Sequence, residues 1–167
     1  MLISEKTTFA GRDLTLTWQE AENIPVGKNI SQVSAFCLDN EDKVLIIKNK
    51  HGWGLPGGHP ESGETLEESL KREIMEEADC SIKDFKLIGY VEVNDPNNDS
   101  IEGREYFQLR FFCRLSDIGE FRAEFETSER NFVSPAELPE YIEWMKSSVT
   151  GQAQIESFIR FFERNRL

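Results

Sequence analysis

Apolar and polar positions along this chain follow two periods, and the switch between them outlines the fold. Leu14, Leu16 and Trp18 fall on one side of residues 13–18, the two-residue period of a strand. Residues 31–38 and 43–48 are richer strand candidates, joined through Asp39, Asn40, Glu41 and Asp42, which read as a hairpin turn. The period then lengthens. Leu66, Leu70, Ile74 and Ala78 recur every four residues and give a helix over residues 65–78 one apolar edge. Thr65 followed by Glu68 has the spacing of a capping box and places the helix start at or beside Thr65. Alternation resumes at residues 84–93 and again at 106–115, where Phe107, Leu109, Phe111 and Cys113 share one side. A polar loop rich in Asn and Asp, residues 94–104, separates these two strands. Residues 121–125 also alternate and predict a further short strand. Ser134, Pro135 and Glu137 read as an N-cap, a first-turn proline and a capping-box partner. A last helix over residues 152–164 buries Ile155, Phe158, Ile159 and Phe162.

Strands on both sides of a central helix, followed by a final helix, predict an α/β fold with a mixed sheet packed between helices. No repeat, low-complexity segment or linker divides the 167 residues, so a single domain spanning 1–167 is expected. Composition supports a soluble globular chain, with 38% hydrophobic and 30% charged residues. The net charge of -12 argues against a nucleic-acid polymer as partner, because that needs a basic footprint. A small phosphorylated ligand stays open, since bound cations would offset the local negative charge. Cys37, Cys80 and Cys113 are too few and too scattered for a disulfide framework or a zinc site, and read as small buried residues. The first residues lack the apolar core of a leader and no run reaches membrane-spanning length, so a cytoplasmic chain with no membrane partner is expected.

Chemistry concentrates between Gly54 and Cys80. Pro56, Gly57 and Gly58 make a turn ahead of the helix, and Glu73, Glu76 and Glu77 lie three and four apart on the helix itself. Like charges at that spacing repel by a few tenths of a kcal/mol per pair, roughly. A hard divalent cation would neutralise them; a solvated acidic face is the alternative. The wider spacing favours the cation. Gly58 is followed after five residues by Glu64, after seven more by Arg72-Glu73-Ile74, and then by Glu76-Glu77. This closely resembles the box of the Nudix hydrolases, a MutT-like family, and departs from it only at Asp79 and Cys80, where the family has glycine and an aliphatic residue. Asp79 is expected at the helix end in the left-handed conformation, at modest cost.

The resemblance implies an α/β/α sandwich with a loop–helix–loop motif and a metal-dependent hydrolase that cleaves the phosphoanhydride of a nucleoside diphosphate linked to another group. It implies Mg2+ or Mn2+ held by Glu73, Glu76, Glu77 and the backbone carbonyl of Gly57, with Glu73 as first choice of general base. Arg72 would hold Glu64 or a helix carboxylate in position, and Gly58 and Glu64 would support the box. A further carboxylate is expected from a later loop, with Glu126 and Glu129 as candidates. His51 and His59 flank the turn without an assigned role. Trp53 and Trp144 read as structural aromatics that are also able to stack on a base. The segment 125–140 resembles nucleoside triphosphate pyrophosphohydrolases of the oxidised-nucleotide type, so a purine triphosphate cleaved to monophosphate and pyrophosphate is the expected substrate. ADP-ribose is the alternative, for which Pro96 speaks. A non-catalytic nucleotide-binding regulator is the reading from another class. The expected assembly is a monomer or homodimer.

Overall fold

The computed structural model describes residues 2–166. The chain begins with a hairpin of β1 (Leu2–Phe9) and β2 (Arg12–Glu20), followed by β3 (Asn29–Leu38), β4 (Val44–Asn49), β5 (Gly52–Gly54) and the two-residue β6 (Gly57–Gly58). Helix α1 (Leu66–Ala78) leads into β7 (Cys80–Asn94), β8 (Glu105–Ile118) and β9 (Glu129–Val133). A 3-10 turn, α2 (Leu138–Tyr141), α3 (Glu143–Ser147) and α4 (Val149–Arg164) close the chain.

The strands form one mixed sheet in the order β1-β2-β7-β8-β3-β4-β5, with β6 attached to β3 and β9 to β4. Only β3 and β8 run parallel; the other pairings are antiparallel. The period-two pattern sorts the core between two faces. Val33, Ala35, Cys37, Leu109 and Phe111 meet Leu70, Ile74 and Ala78 of α1. Phe36, Leu38, Phe112 and Trp18 meet Phe158 and Phe162 of α4. Phe36 and Phe158 stack face to face at 4.4 Å between centroids. The α/β/α sandwich expected from the sequence is the fold.

The hairpin expected over residues 31–48 is real but short. β3 and β4 pair only at Leu38 and Val44, and the sheet forks beyond that point. β6 occupies the β3 branch, opposite Val33 and Ser34, while β4 pairs with β5 and β9. The fork lets the glycine turn enter the sheet.

The strand expected over residues 121–125 is absent. Ala123 takes a positive φ of 53°, which breaks the extended run, and Phe125 is exposed. The edge of β4 pairs instead with Glu129–Val133, which is a strand and not the loop expected to carry Glu129. Helix α4 also starts three residues before the expected Gln152. Its N-terminus is satisfied by the Ser148 side chain and, unusually, by Glu5 of β1, whose carboxylate accepts from Val149 N at 3.1 Å and Thr150 N at 3.2 Å. The acid in this cap comes from 143 residues away, while Ser148 supplies the local part. The hairpin is thus an integral part of the domain: β2 pairs with β7, and Trp18 is fully buried with its indole N–H donating to Ser157 Oγ at 2.9 Å.

Asp79 ends α1 at φ 53° and ψ 39°, the left-handed conformation expected of it. Its side chain also works: Oδ2 accepts from Arg122 N at 3.0 Å and its carbonyl accepts from Gly119 N at 2.8 Å, which ties the 119–122 segment to the helix end. Asp79→Gly relieves strain but loses the Arg122 acceptor. Each effect is on the order of 1 kcal/mol, so stability should stay within about 1 kcal/mol of the parent. Asp79→Ala keeps the strain and loses the acceptor, and should cost about 1–2 kcal/mol in urea unfolding. Equal stability of the two variants would refute this division.

Candidate functional site

The box is built around a close approach. Gly58 faces Glu73 so tightly that a Cβ would stand 2.4 Å from the carboxylate carbon. Gly57 packs on β3, where a Cβ would meet Val33 O at 2.2 Å. Backbone closes the Gly57 position to any side chain, while at Gly58 a Cβ would push the Glu73 carboxylate aside, which gives the Gly57-Gly58 pair a steric reason. The turn is fixed to β3 by Ala35 N donating to Pro56 O at 3.1 Å and to α1 by Gly57 N donating to Glu77 Oε1 at 2.8 Å. Helix α1 is held at its start by the reciprocal Thr65 and Glu68 capping box that its spacing predicted.

Arg72 is the hub behind this turn. Its Nε donates to Glu64 Oε2 at 2.7 Å and Nη2 to Glu64 Oε1 at 3.0 Å, a bidentate pair. Nη2 also donates to the His59 carbonyl at 3.1 Å, and Nη1 to Glu73 Oε1 at 2.8 Å. Glu64 accepts further bonds from Glu61 N and Ser69 Oγ. The Arg72 guanidinium, outweighing the effect of burial, holds the Glu64 carboxyl down at about 2, and Glu64 raises the pKa of Arg72 in turn. Glu64 and Arg72 therefore brace the loop ahead of α1 against its second turn.

Glu77 is the opposite case. Burial pushes its carboxyl up to about 7, against the Gly57 N–H bond, and the charges of Glu73, Glu126 and Glu76 push in the same direction. Four acidic residues thus share one field, and Glu126 belongs to it. Glu129 does not act on Glu77 in this way; it is exposed on β9 opposite Lys48, 3.5 Å from its ammonium.

Among the described residues no group of three or more His, Cys, Asp or Glu side chains stands ready-made around a metal position. The arrangement accounts for this: Glu73 is turned to Arg72, and Glu77 to the Gly57 N–H. The donor set itself, carboxylate oxygens beside a glycine turn with excess negative charge, fits a hard divalent cation. Glu73, Glu76 and Glu77, with the Gly57 carbonyl, are the residues that would hold it.

Gly57 and Glu77 open into a cavity of about 780 Å³ between the sheet and α3–α4. Trp53 and Trp144 both line it, as does His51. Trp53 is braced edge-on by Tyr141 with centroids 5.7 Å apart. Pro96 is not among the lining residues and sits exposed in the 95–104 loop, which Arg12 anchors by a bidentate bond to buried Asp95. Two parts of the cavity went unforeseen. The N-terminal hairpin supplies a wall through Phe9, Leu14 and Leu16. The floor carries Arg110, only 6% exposed, whose bonds all go to neutral oxygens. Burial alone lowers its pKa to about 10, so it stays charged at neutral pH. The available signal was a charge within the apolar run 109–113, on the face opposite Phe107, Leu109 and Phe111.

A sheet forked around a glycine turn, with a carboxylate-bearing helix behind the turn, is a frame with known counterparts. The NUDIX domain model matches residues 28–151, and the chain belongs to that family. A relative from Methanocaldococcus jannaschii named ADP-ribose pyrophosphatase is 40% identical over 107 residues, covering 61% of this chain and 60% of that protein. The mouse protein named 8-oxo-dGDP phosphatase NUDT18 is 30% identical over 101 residues, 52% of this chain and 31% of that protein. The chain thus spans well under two thirds of the length of these curated relatives. The structure of a NUDIX hydrolase from Nitrosomonas europaea aligns with a TM-score of 0.63 at 21% identity, over 80% of this chain and 90% of that one, a likeness of fold. Members of the family generally use divalent cations.

The raised Glu77 carboxyl gives a pH dependence. Its folded value, about 7, lies above the ordinary 4.5, so the apo fold carries no penalty at low pH and loses stability as pH rises through 4.5 to about 7. A divalent ion needs the ionised form, so its binding releases the proton and weakens by up to about tenfold per unit below pH 7. The Mg2+-induced rise in Tm should be clearly larger at about pH 8 than at about pH 5.5. Equal shifts at both values would contradict the assignment of Glu77.

Proposed function

We propose that this chain hydrolyses the phosphoanhydride of a nucleoside diphosphate linked to a second group, with Mg2+ or Mn2+ as cofactor. The observation that carries the reading is the position of Glu77, a largely buried carboxyl bonded to the box turn and opening on the same cavity as Trp53 and Trp144. Chemistry that handles phosphates is thereby joined to a surface able to hold a nucleoside.

Glu73, Glu76, Glu77 and the Gly57 carbonyl hold the ion, with Glu126 as the further carboxylate. When bound, the ion lowers the pKa of a water and offsets charge on the leaving phosphate. Arg72 Nη1 bonds one oxygen of Glu73, and Glu73 is kept as the base of first choice. Arg72 and Glu64 act by positioning, since both are occupied with the loop and the helix. The aromatic side chains of the cavity hold the nucleoside.

The names of the two relatives favour a diphosphate compound, ADP-ribose or an oxidised guanosine diphosphate, over the triphosphate expected from the sequence. A triphosphate satisfies the same chemistry and is the second reading, supported by the resemblance of segment 125–140.

Purified protein incubated with nucleoside diphosphates, triphosphates and nucleoside diphosphate sugars, with and without Mg2+, tests the proposal. Metal-dependent release of a nucleoside monophosphate is expected. Glu77→Gln should lower turnover by at least roughly tenfold to a hundredfold, since even outer partners of a metal cost that much, while circular dichroism stays unchanged. Tight nucleotide binding without turnover of any member would replace the hydrolase by the regulator. Full activity of Glu77→Gln would remove Glu77 from the metal site.

A further inference from the structure

Arg110 is a buried cation without a buried anion. Its Nε donates to Gln154 Oε1 at 2.9 Å, and its Nη1 to Gln32 Oε1 at 3.0 Å and to the Leu109 carbonyl at 3.2 Å. Its Nη2 makes one long contact, 3.4 Å, to Gln108 Oε1. No carboxylate perturbs it, in a chain whose net charge is -12. A guanidinium has donors only, so each glutamine must turn its carbonyl oxygen toward it. Each amide NH2 then points elsewhere, and none of the three has a hydrogen-bond acceptor among the described residues. Arg110, Gln32, Gln108 and Gln154 all line the cavity that Glu77 opens into. The cavity floor is therefore an array rich in hydrogen-bond donors, and each glutamine oxygen already has one bond to the guanidinium.

The array's position relative to the box follows from the sheet. Gly57 pairs with Ser34, and Ser34 with Arg110, so the three residues form one row across β6, β3 and β8. Two strand spacings put Gly57 and Arg110 roughly 10 Å apart along that row. Leu14, Leu16, Val91 and Val93 make the neighbouring wall apolar, and Trp144 lies against the guanidinium with 5.9 Å between Arg110 Cζ and the ring centroid. An apolar and aromatic slot at that remove from the phosphate end suits a flat base more than a hydrated phosphate.

We propose that Arg110, with the amide NH2 groups of Gln32, Gln108 and Gln154, reads the base of the nucleotide and selects an edge that offers acceptors alone. Guanine presents O6 and N7, both acceptors, whereas adenine sets an N6 amino donor beside N7. An adenine amino group facing Arg110 and these NH2 groups meets donors and would have to compete with the guanidinium for the glutamine oxygens, while O6 and N7 of guanine accept directly. This inference rests on the nucleotide reading of the cavity, and it makes guanosine diphosphate compounds better ligands than their adenosine counterparts.

The test compares matched pairs, GDP with ADP and a GDP-sugar with the ADP-sugar of the same sugar, in both hydrolysis and equilibrium binding with Mg2+. The parent should favour guanine by roughly tenfold to a hundredfold in kcat/KM, mainly through KM. Arg110→Met should bring the ratio to within a few-fold of unity. Gln108→Glu supplies an acceptor at the loosest contact and should also move the ratio toward adenine, and it covers the case in which Arg110→Met does not fold. Adenine preference in the parent would overturn the proposal. So would an Arg110→Met variant, folded by circular dichroism, that loses guanine and adenine substrates equally, since that marks a phosphate contact. Guanine-selective binding without hydrolysis would uphold this inference while the hydrolase reading failed.

Discussion

The structure depends on how closely the glycine turn approaches the box helix. With no side chain at Gly58, the backbone of the turn lies against the Glu73 carboxylate, and Gly57 can give its N–H to Glu77. That contact brings backbone groups and acidic side chains to one place, and it depends on Gly57, where any Cβ would run into the backbone of β3. It also requires a sheet that opens to admit the turn. The single β3–β4 pairing at Leu38 and Val44 leaves both strands free to take other partners, β6 on one side and β5 with β9 on the other. The acidic cluster is held in part by Arg72, whose donors are shared among Glu64, Glu73 and the His59 carbonyl. Arg72 bonds Glu64 through both Nε and Nη2, while burial, joined by the charges of Glu73, Glu126 and Glu76, leaves Glu77 with a raised proton affinity.

The other face shows what the first residues of the chain contribute. The family match begins at residue 28, yet the preceding hairpin closes the cavity wall and caps α4 through Glu5. Burial alone would raise the Glu5 carboxyl, but the bonds from Ser148, Val149 and Thr150 outweigh it and leave the value below the ordinary range. Glu5 thus sits ionised at a helix N-terminus, where the backbone donors and the macrodipole both favour an anion. The same bonds link the hairpin to the helix that carries Gln154, so the position of the cavity floor depends on a segment that precedes the family match.

Elements whose residues pack near their own sequence neighbours were legible. The α1 period, its capping box, the strands 31–38 and 106–115, and the buried cysteines follow from local pattern, and the spacing from Gly58 to Glu77 was enough to place the family. What failed was local pattern without a partner. Residues 121–125 alternate, but their pairing edge on β4 is taken by Glu129–Val133, a segment with a weaker pattern and the better position. The start of α4 was hidden because its acid comes from Glu5. Arg110 was passed over because strand logic attends to the apolar face, and the meaning of the opposite face lies in glutamines from three different elements.

The two ends of the cavity are charged in opposite senses and do not neutralise each other. Carboxylates gather at Glu77, which is bonded to Gly57, and a guanidinium stands at Arg110 at the other end of the same sheet row. Had the row carried an acidic residue in place of Ser34, a buried ion pair would have satisfied Arg110 and drawn it from the cavity. Ser34 is small and nearly buried, and it keeps the two ends apart. Glu77 keeps the Gly57 N–H as a partner and Arg110 keeps neutral oxygens, so neither group meets an opposite charge within this pair of sites. On the function proposed above, a nucleotide with its cation would bring positive charge to the carboxylate end and acceptors to the guanidinium end, and the two ends would set the polarity with which it enters.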